Sequence, residues 1–176
     1  MQTFAFVLSI LSTVSMITAS LIKGKRIGLI LFFVFLGNVL VATSYLIDGK
    51  GINGAAACYL GAIMSIINYF FDSRQKQVPK WLLAVYALCM ICVNLWVAGG
   101  LSPLVVLVIT ATLIFIMCIG QPNGAKYRFW TVINILLWCI YDVVAPAFPS
   151  LVTHVSVLIF TLVGMIIYDR KKEQKI

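Results

Sequence analysis

The sequence predicts an all-α integral membrane protein of seven transmembrane helices, built as two parallel three-helix repeats joined by an inverting fourth helix. Three observations lead there. Of the 176 residues, 62% are hydrophobic and only 10% charged, a balance outside the soluble range. Seven apolar runs are each long enough, at roughly 17 to 25 residues, to cross about 30 Å of hydrocarbon. Finally, every second connection between those runs is basic.

The first run, 3–22, carries its positive charges after the apolar stretch, so it reads as a retained span rather than a signal peptide. Its Ser9, Ser12, Thr13 and Ser15 suit close helix packing. The second run, 27–47, contains Asn38 and Tyr45, and the third, 54–71, contains Ser65 and Asn68. The fourth, 81–98, holds "CMIC" (Cys89 to Cys92), Asn94 and Trp96. "VAGGLSPL" separates it from the fifth, 101–119, because two glycines, a serine and a proline break a helix. The sixth, 128–145, includes "INILLWCIYD" with Asn134, Trp138, Tyr141 and Asp142, and the seventh, 149–168, includes His154 and Thr161.

Lys and Arg are retained on the cytoplasmic side of short loops. Lys23, Lys25 and Arg26 follow the first span, Arg74, Lys76 and Lys80 the third, Lys126 and Arg128 the fifth, and Arg170, Lys171, Lys172 and Lys175 the seventh. The intervening loops are neutral, apart from Lys50 offset by Asp48. The amino terminus is therefore expected outside and the carboxy terminus in the cytoplasm. The net charge of +8 is then largely a topology signal, solvated near anionic headgroups, and no nucleic-acid partner is expected.

Residues 1–76 and 97–172, compared at a fixed offset, agree at 11 of 76 positions. More telling is which positions agree: Asn38 meets Asn134, Tyr45 meets Tyr141, Gly24 and Gly28 meet Gly120 and Gly124, and Arg74 and Lys76 meet Arg170 and Lys172. Asn and Tyr seven apart lie two turns apart on one helix face. Both repeats start on the same side, so they are parallel and the fourth helix restores the orientation. The expected organisation is a first bundle at 1–76, a linker helix at 77–100, a second bundle at 101–172 and a cytoplasmic tail at 173–176.

This 3+1+3 plan, with polar residues on the second helix of each half, is similar to that of the SWEET and PnuC transporters. In detail, "RFWTVINILLWCIYDV", "LGNVLVATSYLIDGKG" and "LVGMIIYDRKK" resemble the YgjV family of bacterial inner-membrane proteins. The resemblance covers nearly the whole chain. It implies a multi-pass protein of the bacterial cytoplasmic (inner) membrane and carries no activity with it.

At 100° per residue, Asn134, Trp138 and Tyr141 fall within about 60° of one another, with Asp142 on the flank. Such a face cannot look at lipid, where a central Asp costs about 2.5–3.5 kcal/mol or more, so it is expected to face the bundle interior. Asn38, Ala42 and Tyr45 make a lighter stripe on the second span. Two readings compete for these residues. Asn38, Asn134 and Trp138 line a solute site, with Ser65, Asn68, Tyr45 and Tyr141 as further candidates; or the same groups are interhelical ties and interfacial aromatics. Asp142 and His154 fall at similar depth and form a candidate proton-linked pair. Otherwise Asp142 reaches outside water and His154 bonds a carbonyl.

No glycine-rich phosphate loop, triad or paired carboxylates mark an enzyme, and no metal or cofactor is expected. "CMIC" has redox spacing but lies in mid-span, where a thiolate is poorly stabilised. The expected function is transport of a small polar or aromatic solute, as a facilitator or secondary carrier with a site near the midplane. The alternatives are a non-transporting scaffold or accessory protein and, further off, a membrane thiol oxidoreductase. The expected partners are the bilayer and the solute, with a homo-oligomer left open.

Overall fold

A computed structural model of the chain describes residues 2–23, 27–49 and 51–169. Seven helices follow in order: α1 Gln2–Leu21, α2 Ile27–Asp48, α3 Ile52–Ser73, α4 Lys80–Ala98, α5 Pro103–Ile119, α6 Gly124–Val144 and α7 Phe148–Tyr168. No strand occurs among the described residues. Six of the helices are long and apolar enough to cross a membrane. The exception is α5, whose 17 residues reach about 25 Å at 1.5 Å per residue. The basic residues Lys25, Arg26, Lys50, Arg170, Lys171, Lys172 and Lys175, the glycine Gly24 and the tail 173–176 lie outside the described residues.

The helix ends follow local chemistry. At the turn between α4 and α5, Gly99 has φ 68°, a left-handed conformation that glycine adopts without strain. Ser102 then caps α5 by accepting from the Val105 amide, and Pro103 occupies the first turn, where its missing N–H costs nothing. At α6 the sequence reading is corrected. Asn123 caps the helix by accepting from the Lys126 amide, so α6 begins at Gly124. Arg128 therefore sits inside the helix and is 1% exposed, instead of being a solvated loop charge. The polar run "QPNGAKYR" hid the start because its charges mimic a loop while its Asn is a helix cap.

The helices pack as a closed ring in the order α1, α2, α3, α5, α6, α7 and back to α1, and α4 lies outside against α3 and α5. Polarity is inverted relative to a water-soluble core. Phe4, Leu11, Ile63, Leu88, Ile140 and Ile166 point outward, whereas Ser44, Asn68, Thr112, Asn134, Asp142 and Thr161 are buried. In hydrocarbon an unpaired polar group is costly and an exposed Leu is not, which selects this arrangement.

The serines of α1 join it to its neighbours. Ser9 Oγ meets Ser44 Oγ at 2.8 Å, and Ser12 and Ser15 donate to the Gly37 and Phe33 carbonyls, each at 2.8 Å. On the α7 side, Thr153 donates to the Ser9 carbonyl at 3.0 Å, and Ser20 and Thr161 share a hydrogen bond at 2.9 Å. This seam closes the ring, and Gly164 allows the approach. A Cβ built there would stand 2.7 Å from the Ser20 carbonyl oxygen, a backbone atom that cannot turn aside.

Gly164→Ala is accordingly expected to push α7 from α1 and lower stability by about 1–3 kcal/mol. Thermal unfolding of the detergent-solubilised protein measures it; an unchanged midpoint would mean that the seam gives way freely.

Candidate functional site

On α6, Asn134, Trp138, Tyr141 and Asp142 recur at i, i+4, i+7 and i+8, and all four are buried. The stripe faces into the ring. Asp142 has no exposed surface, yet both carboxylate oxygens are occupied. Oδ1 accepts from the Tyr45 hydroxyl of α2, and Oδ2 lies 2.6 Å from Nδ1 of His154 on α7. Nδ1 is thus the ring nitrogen turned to Asp142, and Nε2 is turned away from it. Trp138 stacks on the His154 ring, with centroids 5.7 Å apart and planes 20° from parallel. Tyr141 meets Trp138 edge-on, and its hydroxyl accepts from the Gly54 amide of α3 at 3.0 Å. Tyr45, Trp138, Tyr141, Asp142 and His154 together make a dense layer drawn from α2, α6 and α7 and tied to α3.

Spaces lie on both sides of this layer. Toward the α2–α3 turn, Tyr141 borders an open depression of about 390 Å³ with Gly49, Gly51 and Leu104. Toward the middle of the ring, Trp138 and His154 border an interior cavity of about 50 Å³, each volume counted as space open to the centre of a water molecule. Every ring helix contributes to the cavity wall, including Met16, Asn38, Gly61, Thr112 and Asn134, and no α4 residue does.

The two asparagines differ in what they hold. Asn38 donates from Nδ2 to the Val34 carbonyl of its own helix at 2.9 Å, so it ties no two helices together. Asn134 donates to the Ala111 carbonyl of α5 at 2.6 Å and does tie helices. A backbone carbonyl only accepts, which fixes both amide orientations and turns each Oδ1 away from its Nδ2 partner. Among the described residues neither Oδ1 has a hydrogen-bond partner, and neither is sealed in protein; only Oδ1 of Asn94 is both sealed and unpartnered.

Of the sequence candidates, Asn38, Asn134, Trp138 and His154 reach the cavity. Tyr45, Tyr141 and Asp142 close one end of it. Ser65 bonds back to the Gly61 carbonyl at 2.7 Å and stays outside the wall. Asn68 is a strut: it donates to the Ile119 carbonyl of α5 and accepts from the Tyr86 hydroxyl of α4, both at 3.1 Å. Cys89 and Cys92 of "CMIC" project from the exposed side of α4.

Sequence reasoning missed the opposite end. There Arg128 is held in a fork by Asp169, Nη2 to Oδ1 at 2.6 Å and Nε to Oδ2 at 3.0 Å, while Nη1 donates to the carbonyl of Ile22, just past the end of α1, at 3.2 Å. Its guanidinium also lies 5.6 Å from the Tyr168 ring centre. The available signal was Asn123 as a helix cap, which moves Arg128 from loop to helix, together with the lone acid in "YDRKK".

No family model, curated protein or solved structure matches the chain. What the site does is argued from its geometry.

Asn68→Leu leaves the Tyr86 hydroxyl and the Ile119 carbonyl without their shared partner, and is expected to cost about 1–3 kcal/mol. Asn38→Leu gives up only a bond within its own helix and is expected to cost less than about 1 kcal/mol. Paired thermal unfolding curves decide; equal losses would make Asn38 a strut as well.

Proposed function

We propose that the chain is a membrane transport protein, a facilitator or secondary carrier for a small polar solute, held in the interior cavity between two three-helix bundles. The carrying observation is the cavity itself: a mainly apolar space at the centre of the ring into which a few polar residues, among them Asn38, Asn134, Thr112 and His154, reach, bordered by all six ring helices. The parallel-repeat organisation with seven spans belongs to this reading. If α1, α2 and α3 correspond to α5, α6 and α7, the α1–α7 seam corresponds to the α5–α3 seam, and both are present. Eight wall positions also fall into four pairs at the sequence offset: Asn38 with Asn134, Met16 with Thr112, Cys58 with His154, and Gly61 with Val157. A pseudo-twofold axis along the membrane normal would thus run through the cavity.

In this reading each end of the cavity is shut by bonds that cross between bundles. Tyr45 to Asp142 and Gly54 to Tyr141 cross at the depression, and Arg128 to Ile22 crosses at the other end. Rocking one bundle against the other would break one set while keeping the other. The Asp142–His154 pair is the candidate proton-linked element, since a proton added to Asp142 would remove an acceptor that Tyr45 and His154 share. Assignment to the YgjV family and to the bacterial inner membrane, with the amino terminus outside, completes the proposal.

The scaffold alternative draws on a different observation. Asn68, Tyr45, Tyr141 and the α1 serines satisfy one another across helix boundaries, as packing ties would. The oxidoreductase alternative has only Cys89 and Cys92, which look outward from an apolar helix.

A thermal-shift screen of the purified protein against small polar solutes tests the transport reading. Trp138→Ala, which removes a wall residue of the cavity, should weaken the thermal response to any stabilising solute with the bundle still folded. Parent protein that responds to none, alongside variants that only lose stability, would favour the scaffold. For orientation, single cysteines at Ile52 or Phe148 should react with a membrane-impermeant thiol reagent added outside, and cysteines at Lys76 or Gln77 should not. All four positions are exposed. The reverse pattern would invert the topology.

A further inference from the structure

Resting on the transport reading, we infer that the cavity selects a compact solute of about four to six non-hydrogen atoms that presents N–H or O–H donors on opposite sides and carries no anionic group. Size comes first. A water needs about 10–15 Å³ of such space, so about 50 Å³ corresponds to roughly four water positions. An aromatic solute does not fit the closed form, and Trp138 already has its face engaged by His154.

Polarity comes second. Asn38 and Asn134 are each 6% exposed; each spends one of its two Nδ2 hydrogens on a carbonyl, while its Oδ1 acceptor has no partner among the described residues and has the cavity beside it. A Cβ on Gly61, another wall residue, would stand 3.6 Å from the Asn38 Oδ1, which places that oxygen at the wall. In the ring order, α2 and α6 stand three places apart, so the two acceptors approach from facing sides. Thr112 and Thr131 also border the space, and their hydroxyl hydrogens go to the Ile109 and Tyr127 carbonyls, leaving oxygen lone pairs. The wall thus offers acceptors from several directions and contains no Lys or Arg. A carboxylate or phosphate would find no counter-charge in this wall, whereas an amide, amidinium or small polyol would satisfy the oxygens that the helices leave open.

The test uses the full chain in liposomes and measures entry of radiolabelled guanidinium, urea and glycerol, with acetate and glucose as the anionic and oversized probes. Guanidinium, urea or glycerol should enter several-fold faster than into protein-free vesicles, and acetate and glucose should not. Asn38→Ala enlarges the cavity but removes an acceptor, and should slow entry by about 3- to 10-fold; Asn38→Leu should slow it at least as much. Faster entry of acetate or glucose alone, or an Asn38→Ala variant as fast as the parent, would overturn the selectivity and leave the transport reading standing. No protein-dependent entry of any probe, with no solute response in the thermal-shift screen, would overturn both.

Discussion

The carboxylate of Asp142 is the interaction on which the interior depends. It is fully buried and would be untenable alone in hydrocarbon, yet it accepts from Tyr45 on one oxygen and His154 on the other. That sharing has three effects. It joins α2 to α6 and α7, it fixes which nitrogen of His154 faces away, and it holds the imidazole flat under Trp138. Trp138 in turn positions Tyr141, whose hydroxyl receives the Gly54 amide at the start of α3. One acid thus organises contacts to four helices, and the layer it organises separates the cavity from the depression beyond.

The polar side chains of the ring divide by where their hydrogen bonds go. Ser9, Ser12, Ser15, Asn68 and Thr153 spend theirs on neighbouring helices and act as ties. Asn38 makes its one hydrogen bond among the described residues within its own helix and gains nothing for packing, although its carbonyl oxygen is kept beside an interior space. Asn134 does both. A membrane interior tolerates a polar residue that holds helices together; one that holds nothing needs a different account, and the proposed solute would supply it.

Helix existence was legible in the sequence, because the apolar runs are long and their breakers are strong. The "VAGGLSPL" turn reappears as a left-handed Gly99 and a Ser102 cap. The polar stripe of α6 was legible too, since one periodicity places Asn134, Trp138, Tyr141 and Asp142 together. What periodicity could not tell was the destination of each polar group. Asn38 and Asn68 look alike on paper, and only the three-dimensional neighbours make one a wall and the other a strut. Arg128 was misread for a related reason: a charge near a span end is ordinarily solvated, and the partner that buries it, Asp169, is 41 residues away.

That separation bears on how the protein can be made. Arg128 is synthesised 41 residues before the acid that pairs with it, and an unpaired guanidinium resists leaving the water at the membrane boundary. The Ile22 carbonyl, made 106 residues earlier, offers only a partial substitute. With Asp169 in place the fork closes and the charge is drawn in beside the end of α1. Burial of Arg128 thus depends on the far end of α7, and one contact seats the start of the sixth helix and the end of the seventh together.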